Sequence, residues 1–529
     1  MTNTYTQHTR TRPAPTVATP QSEPIPGANQ VPNSAGGFVW AVDDWSRLDR
    51  FLILGTEGGT YYVGEKELTI DSADAVKRCI AADGLRTVAR VVEVSEAGRA
   101  PKNDAALFAL ALCSALGNDA TRKAALDSLP RVARIGTHLF QFITALEGFR
   151  GWGRGARRAV ANWYTDKEPD QLAYQLVKYQ QRNGWGHRDA IRLSHPKPAT
   201  DAHKAAFAWS VGKPYEGAPR LINVYEEMLK AATEGQVIDL IAREHLTWEF
   251  VPATWLGSKD VWQTLLPNLP LMAMVRNLGR MTANGAIGAM SDTGDIVARL
   301  HNQDIIRKAR VHPIAFLAAL ATYAQGHGER GKLTWIPIGR IADALNDAFY
   351  LAFGNVEPTG KRYLLGVDVS GSMTIGAIAG IPGLTPRMGA AAMALVTEAT
   401  EAKNLIMGFS HEFMPLSITA KMRLDQVERV MDNMPYGATD CALPMQWALK
   451  NKIEADVFVV YTDNETWSGR QHPAEALREY RRLTGIPAKL VVVAMTSTGF
   501  SIADPNDAGM LDIIGMDTAT PSLLADFVR

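Results

Sequence analysis

The stretch Tyr363-Leu-Leu-Gly-Val-Asp-Val-Ser-Gly-Ser372 decides the fold of the C-terminal third of this chain. Its apolar first half predicts a buried β-strand, and the last side chains of such a strand point into a crevice at the carboxyl edge of a parallel sheet. Asp368, Ser370 and Ser372 then present one carboxylate and two hydroxyls at alternate positions. Such oxygen ligands suit Mg²⁺, which takes one or two protein carboxylates and keeps positions open for water or an outside ligand.

Two further segments carry side chains of the same chemistry. Thr439 lies between two predicted helices, and Asp463 ends a second apolar run. With the first stretch, these segments resemble the metal-ion-dependent adhesion site of von Willebrand factor A domains. The residues that this resemblance assigns to a Mg²⁺ or Mn²⁺ ion are Asp368, Ser370, Ser372, Thr439 and Asp463. A simpler interpretation stays open, in which Asp368 and Ser370 only cap the helix near Met388.

The pattern after residue 360 alternates between strands and helices. The apolar runs that predict strands lie at 363–367, 404–409, 456–462 and 488–495. The helical patterns lie at 388–402, 424–433, 441–452 and 473–483. Such alternation predicts an α/β domain, a doubly wound parallel sheet with helices on both faces. We place this domain at residues 361–529.

The first two thirds of the chain have a different pattern. Residues 1–30 are rich in Thr, Pro, Gln, Asn and Ser, which predicts a disordered tail because such a segment can bury little apolar surface. From 31 to 360 one amphipathic pattern follows another, for example at 104–117, 120–129 and 169–182. Tandem helices without strand runs predict an α-solenoid of stacked helix pairs.

Composition narrows the class of protein. The formal net charge of the 529 residues is +0, which excludes a uniformly basic surface but not a local one. Cys79, Cys113 and Cys441 form no close pair, so neither a disulfide framework nor a zinc site is indicated. No apolar stretch reaches the length of a membrane span, and the N-terminus lacks the apolar core of a signal peptide. We therefore expect a cytoplasmic protein with no membrane partner.

Charge is divided unevenly along the chain. Residues 131–200 contain 12 Lys and Arg against 5 Asp and Glu, whereas residues 361–529 contain 15 against 19. The basic excess in the helical part indicates an anionic partner for that part.

The basic segment is predicted to form two helices with cations on one face of each. The first covers 169–182, the segment 183–186 breaks it, and the second covers 187–194. The cations are Lys178 and Arg182 on the first helix, and Arg188, Arg192 and His195 on or just after the second. Together they offer a surface for phosphate contacts. The same spacing is typical of an ordinary solvated helix face, and the pattern alone leaves both interpretations open.

Longer blocks of sequence resemble the TROVE module of the Ro autoantigen family. They are Gly36–Tyr62, Leu176–Lys197 and Leu271–Thr282, and Thr462–Thr466 is similar to the end of the family's A domain. The blocks span about residues 31 to 529, so the chain is identified as a member of that family, in its bacterial branch. It differs from the animal members in its Thr- and Pro-rich tail and in the Gly-rich insert at 376–386.

The resemblance implies a fold and a function. The helices would form HEAT-like repeats in a ring, closed by the A domain. The outer surface would bind small noncoding Y RNAs, and the central hole would take single-stranded 3′ ends of misfolded RNAs. The positions matched to the family's RNA-contacting stretch are Lys178, Arg182 and His195, with Arg188 and Arg192 as neighbours. Candidates for a basic lining of the hole are Arg131, Arg134, Arg276 and Arg280. We expect a monomer that works with an exoribonuclease in RNA quality control and stress survival.

Three functions compete at this level. The first is a non-catalytic RNA-binding scaffold, and the second is an adhesion or complex-assembly module whose metal captures a carboxylate of a protein partner. The third, a Mg²⁺-dependent phosphoryl hydrolase, requires clustered carboxylates, and Asp368-Val-Ser370 has a hydroxyl where another acid would be needed. The sequence therefore predicts the scaffold, without enzyme activity, and leaves the second function open.

Overall fold

The structure is a computed structural model that describes most of the chain. The described residues are 18–55, 65–288, 293–328, 332–354, 357–376, 378, 384–419, 421–435, 437–496, 498–515, 517 and 519–529. The side chains of 65–70, 424, 425, 428 and 432 fall outside this description. A helical part up to residue 354 is followed by a mixed α/β part.

Helices build the N-terminal part. They are α1 (Asp44–Leu54), α2 (Glu65–Ala97), α3 (Asp104–Leu116), α4 (Asp119–Asp127), α5 (Leu129–Val132), α6 (Gly136–Phe149), α7 (Arg154–Thr165), α8 (Pro169–Lys178), α9 (His187–Ser194), α10 (Asp201–Ser210), α11 (Arg220–Leu229), α12 (Glu234–Glu244), α13 (Lys259–Leu265), α14 (Leu271–Ala283), α15 (Gly294–Leu300), α16 (Gln303–Lys308), α17 (Pro313–Ala324) and α18 (Gly339–Leu351). The strands of this part are β1 (Gln30–Pro32), β2 (Phe38–Ala41), β3 (Gln181–Arg182) and β4 (Trp185–Gly186). Within the described residues, no helix is both long and apolar enough to cross a membrane.

Polar side chains fix where several of these helices begin. Asp43 accepts a hydrogen bond from the Ser46 N–H at the start of α1, and Asn118 accepts one from the Thr121 N–H at the start of α4. Between such caps, apolar residues recur at helical spacing and join one continuous core. A helix such as α8 therefore buries one face against its neighbours, whereas α3 is buried on nearly every side.

The helices stack in chain order and close into a ring. α1 packs on α2, α2 on α3, α3 on α6, α12 on α13 and α17 on α18. Nε2 of His312, just before α17, lies 3.0 Å from the carbonyl oxygen of Arg99, just after α2. Arg99 also forms an ion pair with Asp517 (Nη2–Oδ2, 2.9 Å), which ties this junction to the C-terminal part. The predicted ring-like solenoid is confirmed.

The C-terminal part is a sheet with helices on both faces. Its strands are β5 (Tyr363–Asp368), β6 (Asn404–Phe409), β7 (Phe413–Pro415), β8 (Val457–Thr462), β9 (Lys489–Ala494), β10 (Phe500–Ser501) and β11 (Met510–Ile514). Its helices are α19 (Pro386–Thr400), α20 (Leu424–Asp432), α21 (Leu443–Lys450), α22 (Pro473–Thr484) and α23 (Thr520–Val528), with a 3₁₀ helix at Gly371–Thr374. The predicted strands and helices of this domain are confirmed.

The order of strands in the main sheet is β11-β9-β8-β5-β6-β7, and only the β6–β7 pair is antiparallel. Successive residues of β5 belong to different cores, because side chains alternate between the faces of a sheet. Leu365 and Val367 pack in the core that includes α19, whereas Leu364 packs in the core that includes α21 and α22. Both faces are thus covered, and the doubly wound arrangement is confirmed.

The helix predicted at 169–182 is too long. α8 ends at Lys178, and β3 and β4 pair as a two-residue hairpin, with Arg182 opposite Trp185. Asn183 and Gly184 have φ of 52° and 79°, the positive values that a tight hairpin turn of this kind requires. The turn draws residues 181–182 into an extended conformation, so Arg182 does not lie one helical turn after Lys178.

The predicted disordered tail is also too long. Residues 18–30 belong to the described part of the chain, and Thr19 and Gln21 among them are buried, whereas residues 1–17 lie outside the description. β1 pairs with β2, and β2 pairs with β10 of the C-terminal part. Gln21 is fully buried, and its side chain forms hydrogen bonds to the C-terminal part. Long-range polar contacts thus order a segment that has few apolar residues of its own.

Candidate metal and RNA sites

The predicted metal residues meet at the carboxyl edge of the sheet. Asp368 ends β5, and Asp463 follows β8, the parallel strand beside it. Ser370 lies between β5 and the 3₁₀ helix Gly371–Thr374, Ser372 lies in that helix, and Thr439 lies in the loop before α21. All five side chains are buried. The structure brings Asp368, Ser370, Ser372 and Asp463 together, and it places Thr439 on a loop whose backbone is hydrogen-bonded to the segment just after Asp463.

Hydrogen bonds hold several of the oxygen atoms that would bind the metal. Oδ1 of Asp368 accepts from the Ser370 N–H (2.9 Å), and Oδ2 accepts from the Thr462 hydroxyl (2.7 Å). The hydroxyl oxygens of Ser370 and Ser372 lie 3.1 Å apart. Oδ2 of Asp463 is buried and has no hydrogen-bond partner among the described residues. A buried carboxylate oxygen without a partner is costly, and a bound cation would satisfy it.

Without a cation, burial disfavours the charged form of both carboxyl groups. Burial, and next the nearby charge of Asp463, raise the pKa of Asp368 to about 7. Burial also raises the pKa of Asp463. Among the described residues, no group of three or more His, Cys, Asp and Glu is arranged to hold a metal ion. The oxygen set here depends on hydroxyls, and it fits the preference of Mg²⁺ for few carboxylates.

The helix-capping alternative does not hold. Thr385, not Asp368 or Ser370, precedes α19 and accepts a hydrogen bond from the Met388 N–H (3.2 Å). Of the Gly-rich insert before this helix, residues 377 and 379–383 lie outside the description.

Sequence reasoning missed the residues that hold the loop after Asp463. Gln21 donates to Oδ1 of Asp440 (2.7 Å) and accepts from the Thr466 hydroxyl. Asn33 donates to the carbonyl oxygen of Thr466 (2.7 Å). These contacts join residues more than 400 positions apart, so no local pattern could have revealed them. The N-terminal segment thus braces the loops that carry Thr439 and Asp463.

The helical ring encloses a cavity of about 1130 Å³. Its lining comes from the end of α2 and from α3, α6, α8, α14 and α17 with their adjoining loops. The basic residues of the lining are Lys102, Arg134, Lys178, Arg182, Arg276 and Arg310, and the acidic ones are Glu96, Asp104 and Glu249. Two of the four predicted lining arginines, Arg134 and Arg276, are among them, whereas Arg131 and Arg280 are not.

Several contacts within the protein hold Lys178. Its Nζ lies 3.1 Å from Oε1 of Glu249 and 2.7 Å from the Tyr174 hydroxyl, and it also lies over the rings of Tyr174 and Tyr179. The ion pair already neutralises much of the charge of Lys178. Arg182, in the exposed hairpin, has no ion-pair partner among the described residues and is free to contact an outside anion.

The other predicted RNA residues lie elsewhere on the ring. Arg188 and Arg192 are exposed on α9, and His195 follows this helix in a left-handed conformation (φ 50°). None of the three lines the cavity or has a salt-bridge partner in the described part of the chain. The buried ring of His187, hydrogen-bonded to the Tyr164 hydroxyl (2.9 Å), anchors the start of α9. The five predicted residues therefore form two groups, one at the cavity and one on α9.

Comparison with known proteins agrees with this two-part architecture. The TROVE domain model matches residues 31–234 and 235–361, and the Ro60 vWA domain model matches residues 362–528. The chain belongs to the Ro60 family. The two matched regions meet beside the domain boundary that the sequence predicts.

Similar members of the Ro60 family come from distant organisms. The RNA-binding protein RO60 of Deinococcus radiodurans is 42% identical over 520 residues, which cover 96% of this chain and 97% of that protein. The RNA-binding protein RO60 of Caenorhabditis elegans is 37% identical, over 94% of this chain and 90% of that protein. The crystal structure of the Deinococcus radiodurans RO (RSR) protein superposes with a TM-score of 0.70, covering 92% of this chain and 99% of that one. The Ro60 fold is therefore shared over nearly the whole chain.

Proposed function

We propose that this Ro60-family chain is a non-catalytic, monomeric RNA-binding scaffold of the cytoplasm. Its outer surface binds small noncoding Y RNA, and its cavity takes single-stranded 3′ ends of misfolded or structured RNAs. An exoribonuclease then processes or degrades these RNAs, in quality control and in stress survival. The names of the related RO60 proteins, as RNA-binding proteins, support the first step of this proposal.

The basic lining of the cavity carries the proposal. It has six Lys and Arg against three Asp and Glu, although the whole chain is neutral. Arg182, Arg276 and Arg310 are exposed and form no salt bridge within the described residues. Arginines in this state can follow the phosphates of a single strand, and backbone contacts of this kind do not depend on base sequence. A site that accepts the ends of many different RNAs needs this tolerance.

The metal site contributes to a second part of the proposal. Asp368, Ser370, Ser372, Thr439 and Asp463 would hold Mg²⁺, or Mn²⁺, at the edge of the sheet. The ion would supply positive charge and a position open to an outside oxygen ligand. The protein's own part is to bury the carboxylates and to brace the surrounding loops from the N-terminal segment.

A second candidate function is capture of a protein carboxylate by this metal site. One observation favours it: Trp467, the residue whose N–H donates to the carbonyl oxygen of Thr439 (3.1 Å), is 38% exposed. Ile375, which follows the 3₁₀ helix Gly371–Thr374, is 42% exposed. An exposed aromatic side chain such as that of Trp467 is suited to contact a protein partner, because aromatic residues are enriched in protein interfaces. This function is compatible with the scaffold, because the two sites lie in different domains.

Binding of matched hairpin RNAs tests the scaffold. Three transcripts share one stem and differ only in carrying a single-stranded 3′ extension, the same extension at the 5′ end, or none. We expect the 3′-extended RNA to bind most tightly in filter-binding assays, with affinity falling as salt rises. Equal affinity for all three transcripts would contradict the use of the cavity for 3′ ends.

A further inference from the structure

A small second cavity lies at the start of α7, outside the sites described above. Its volume is about 60 Å³. Three arginines line it, Arg122, Arg150 and Arg154, together with Ser114, apolar side chains and a run of glycines from Gly151 to Gly155. Among the described residues that line this arginine pocket, none is an Asp or Glu.

The three arginines differ in the contacts that their side chains already make within the protein. Arg122 forms an ion pair with Asp119 (Nη1–Oδ1, 2.9 Å) and contributes little free charge. The side chain of Arg150 donates to the carbonyl oxygen of Ser114 (3.1 Å), and the side chain of Arg154 has no hydrogen-bond or ion-pair partner in the described part of the chain. Both side chains are exposed. Two guanidinium groups without a carboxylate partner therefore converge on one pocket.

Two other exposed arginines of the helical part, Arg220 and Arg243, show what a paired arginine looks like. Arg220 forms an ion pair with Glu244 (2.6 Å), and Arg243 forms ion pairs with Glu227 (3.0 Å) and Glu244 (2.9 Å). Their charge is satisfied within the protein. The guanidinium groups of Arg150 and Arg154 have no such carboxylate within the described residues, so they remain available to an anion from outside.

The arginine pocket adjoins the predicted RNA surface. Trp152, between the glycines of the pocket, packs against Trp185, with ring centroids 5.6 Å apart. Trp185 belongs to β4 and pairs with Arg182 across the hairpin. α7 also packs directly on α9, which carries Arg188 and Arg192. A nucleic-acid strand that contacts the hairpin and α9 can therefore continue past the tryptophan pair to the pocket.

We infer that the arginine pocket binds phosphate groups of the RNA backbone and extends the RNA-binding surface from the hairpin to α7. The inference rests on the proposed function, since it concerns the same class of ligand. The guanidinium group is suited to this role because its planar donors match two oxygens of one phosphate. The contact positions RNA without reading its sequence.

The test compares Arg150→Gln/Arg154→Gln with the matched control Arg220→Gln/Arg243→Gln, using the 3′-extended hairpin RNA as the probe. Both variants lose two positive charges from exposed helical surface. Loss of two phosphate contacts should lower the slope of log K against log salt by about 1.4 for single-stranded contacts, or about 1.8 for duplex contacts. The control should keep the wild-type slope. Arg154→Gln alone breaks no side-chain contact within the described protein and should lower the slope by about half as much. This single variant tests the pocket if the double variant is poorly folded.

The outcomes separate the inference from the proposed function. A wild-type slope in the folded pocket variants, with wild-type RNA binding intact, would overturn the arginine pocket alone. Equal loss in the pocket variant and in the control would also overturn it, because general charge would then explain the effect. Absence of salt-dependent RNA binding in the wild-type protein would overturn both.

Discussion

Replacing Arg276 by Gln should weaken the binding of single-stranded 3′ ends. Arg276 is exposed on α14, lines the large cavity and has no ion-pair partner in the described chain. Gln keeps helix propensity and most of the side-chain length, so the free energy of unfolding should change by less than about 0.5 kcal/mol. Any large change in RNA affinity would then report the lost contact.

The expected size follows from counterion release. One lost phosphate contact should lower the slope of log K against log salt by about 0.7 for a single strand. Between 50 and 200 mM salt, the affinity of the wild type should therefore fall by roughly 2.6-fold more than that of the variant, since a fourfold salt change raised to the power 0.7 gives this factor. The assay is filter binding of the 3′-extended hairpin RNA at several salt concentrations.

Arg280→Gln is the matched control. Arg280 is exposed on the same helix, one turn further along, and it does not line the cavity. We expect the control to keep the wild-type slope and affinity. Equal behaviour of the two variants, whether both weaken binding or neither does, would refute the assignment of the cavity as the site for 3′ ends.

Further predictions concern both domains. Arg182→Gln should lower the salt slope for RNA more than Lys178→Gln, because Lys178 is already paired, and the same filter-binding series checks this. Asp368→Ala should abolish Mg²⁺ binding in titration calorimetry while leaving RNA affinity unchanged; undiminished metal affinity would contradict the site. Because the pKa of Asp368 is raised to about 7 without metal, the folded metal-free protein holds a proton that the unfolded chain releases, and its stability falls as pH rises from about 4 to 7. Mg²⁺ must displace that proton, so the rise in Tm on adding Mg²⁺ should be greater at pH 8 than at pH 6; a greater rise at pH 6 would be the wrong sign. Gln21→Ala should lower the free energy of unfolding by about 1–3 kcal/mol in chemical denaturation, since it leaves Asp440 and other buried polar groups without partners.

The approach of Asp368 and Asp463, two of the candidate metal residues, was predictable because it depends on the geometry of one sheet. The apolar runs that end at Asp368 and Asp463 indicated two buried strands, and parallel strands end at the same edge. β5 and β8 are neighbours, so the two carboxylates meet. Thr439 could be assigned only through the resemblance to A domains, because nothing in its own segment fixes where that loop folds back.

Two features of the fold could not be predicted from the sequence pattern. The residues from Gln180 to Arg182 are good helix formers, so the pattern extended α8 to Arg182, but the turn at Asn183 and Gly184 takes precedence and forms a hairpin. Gln21 lies in a polar segment that resembles a disordered tail, yet its hydrogen bonds to the C-terminal domain order the segment. In both cases the deciding interaction was a specific geometry or a distant partner, which periodicity does not report.

RNA should bind to the helical ring, at the basic cavity and on the adjoining surface of α8 and α9. Ultraviolet crosslinking of the full-length protein to RNA in cells, followed by sequencing of the bound RNA and mass spectrometry of the crosslinked peptides, tests it most directly. The account predicts small structured RNAs and RNAs with free 3′ ends, crosslinked to peptides from residues 94–315. RNA crosslinks confined to residues 361–529, or no RNA above background, would contradict it.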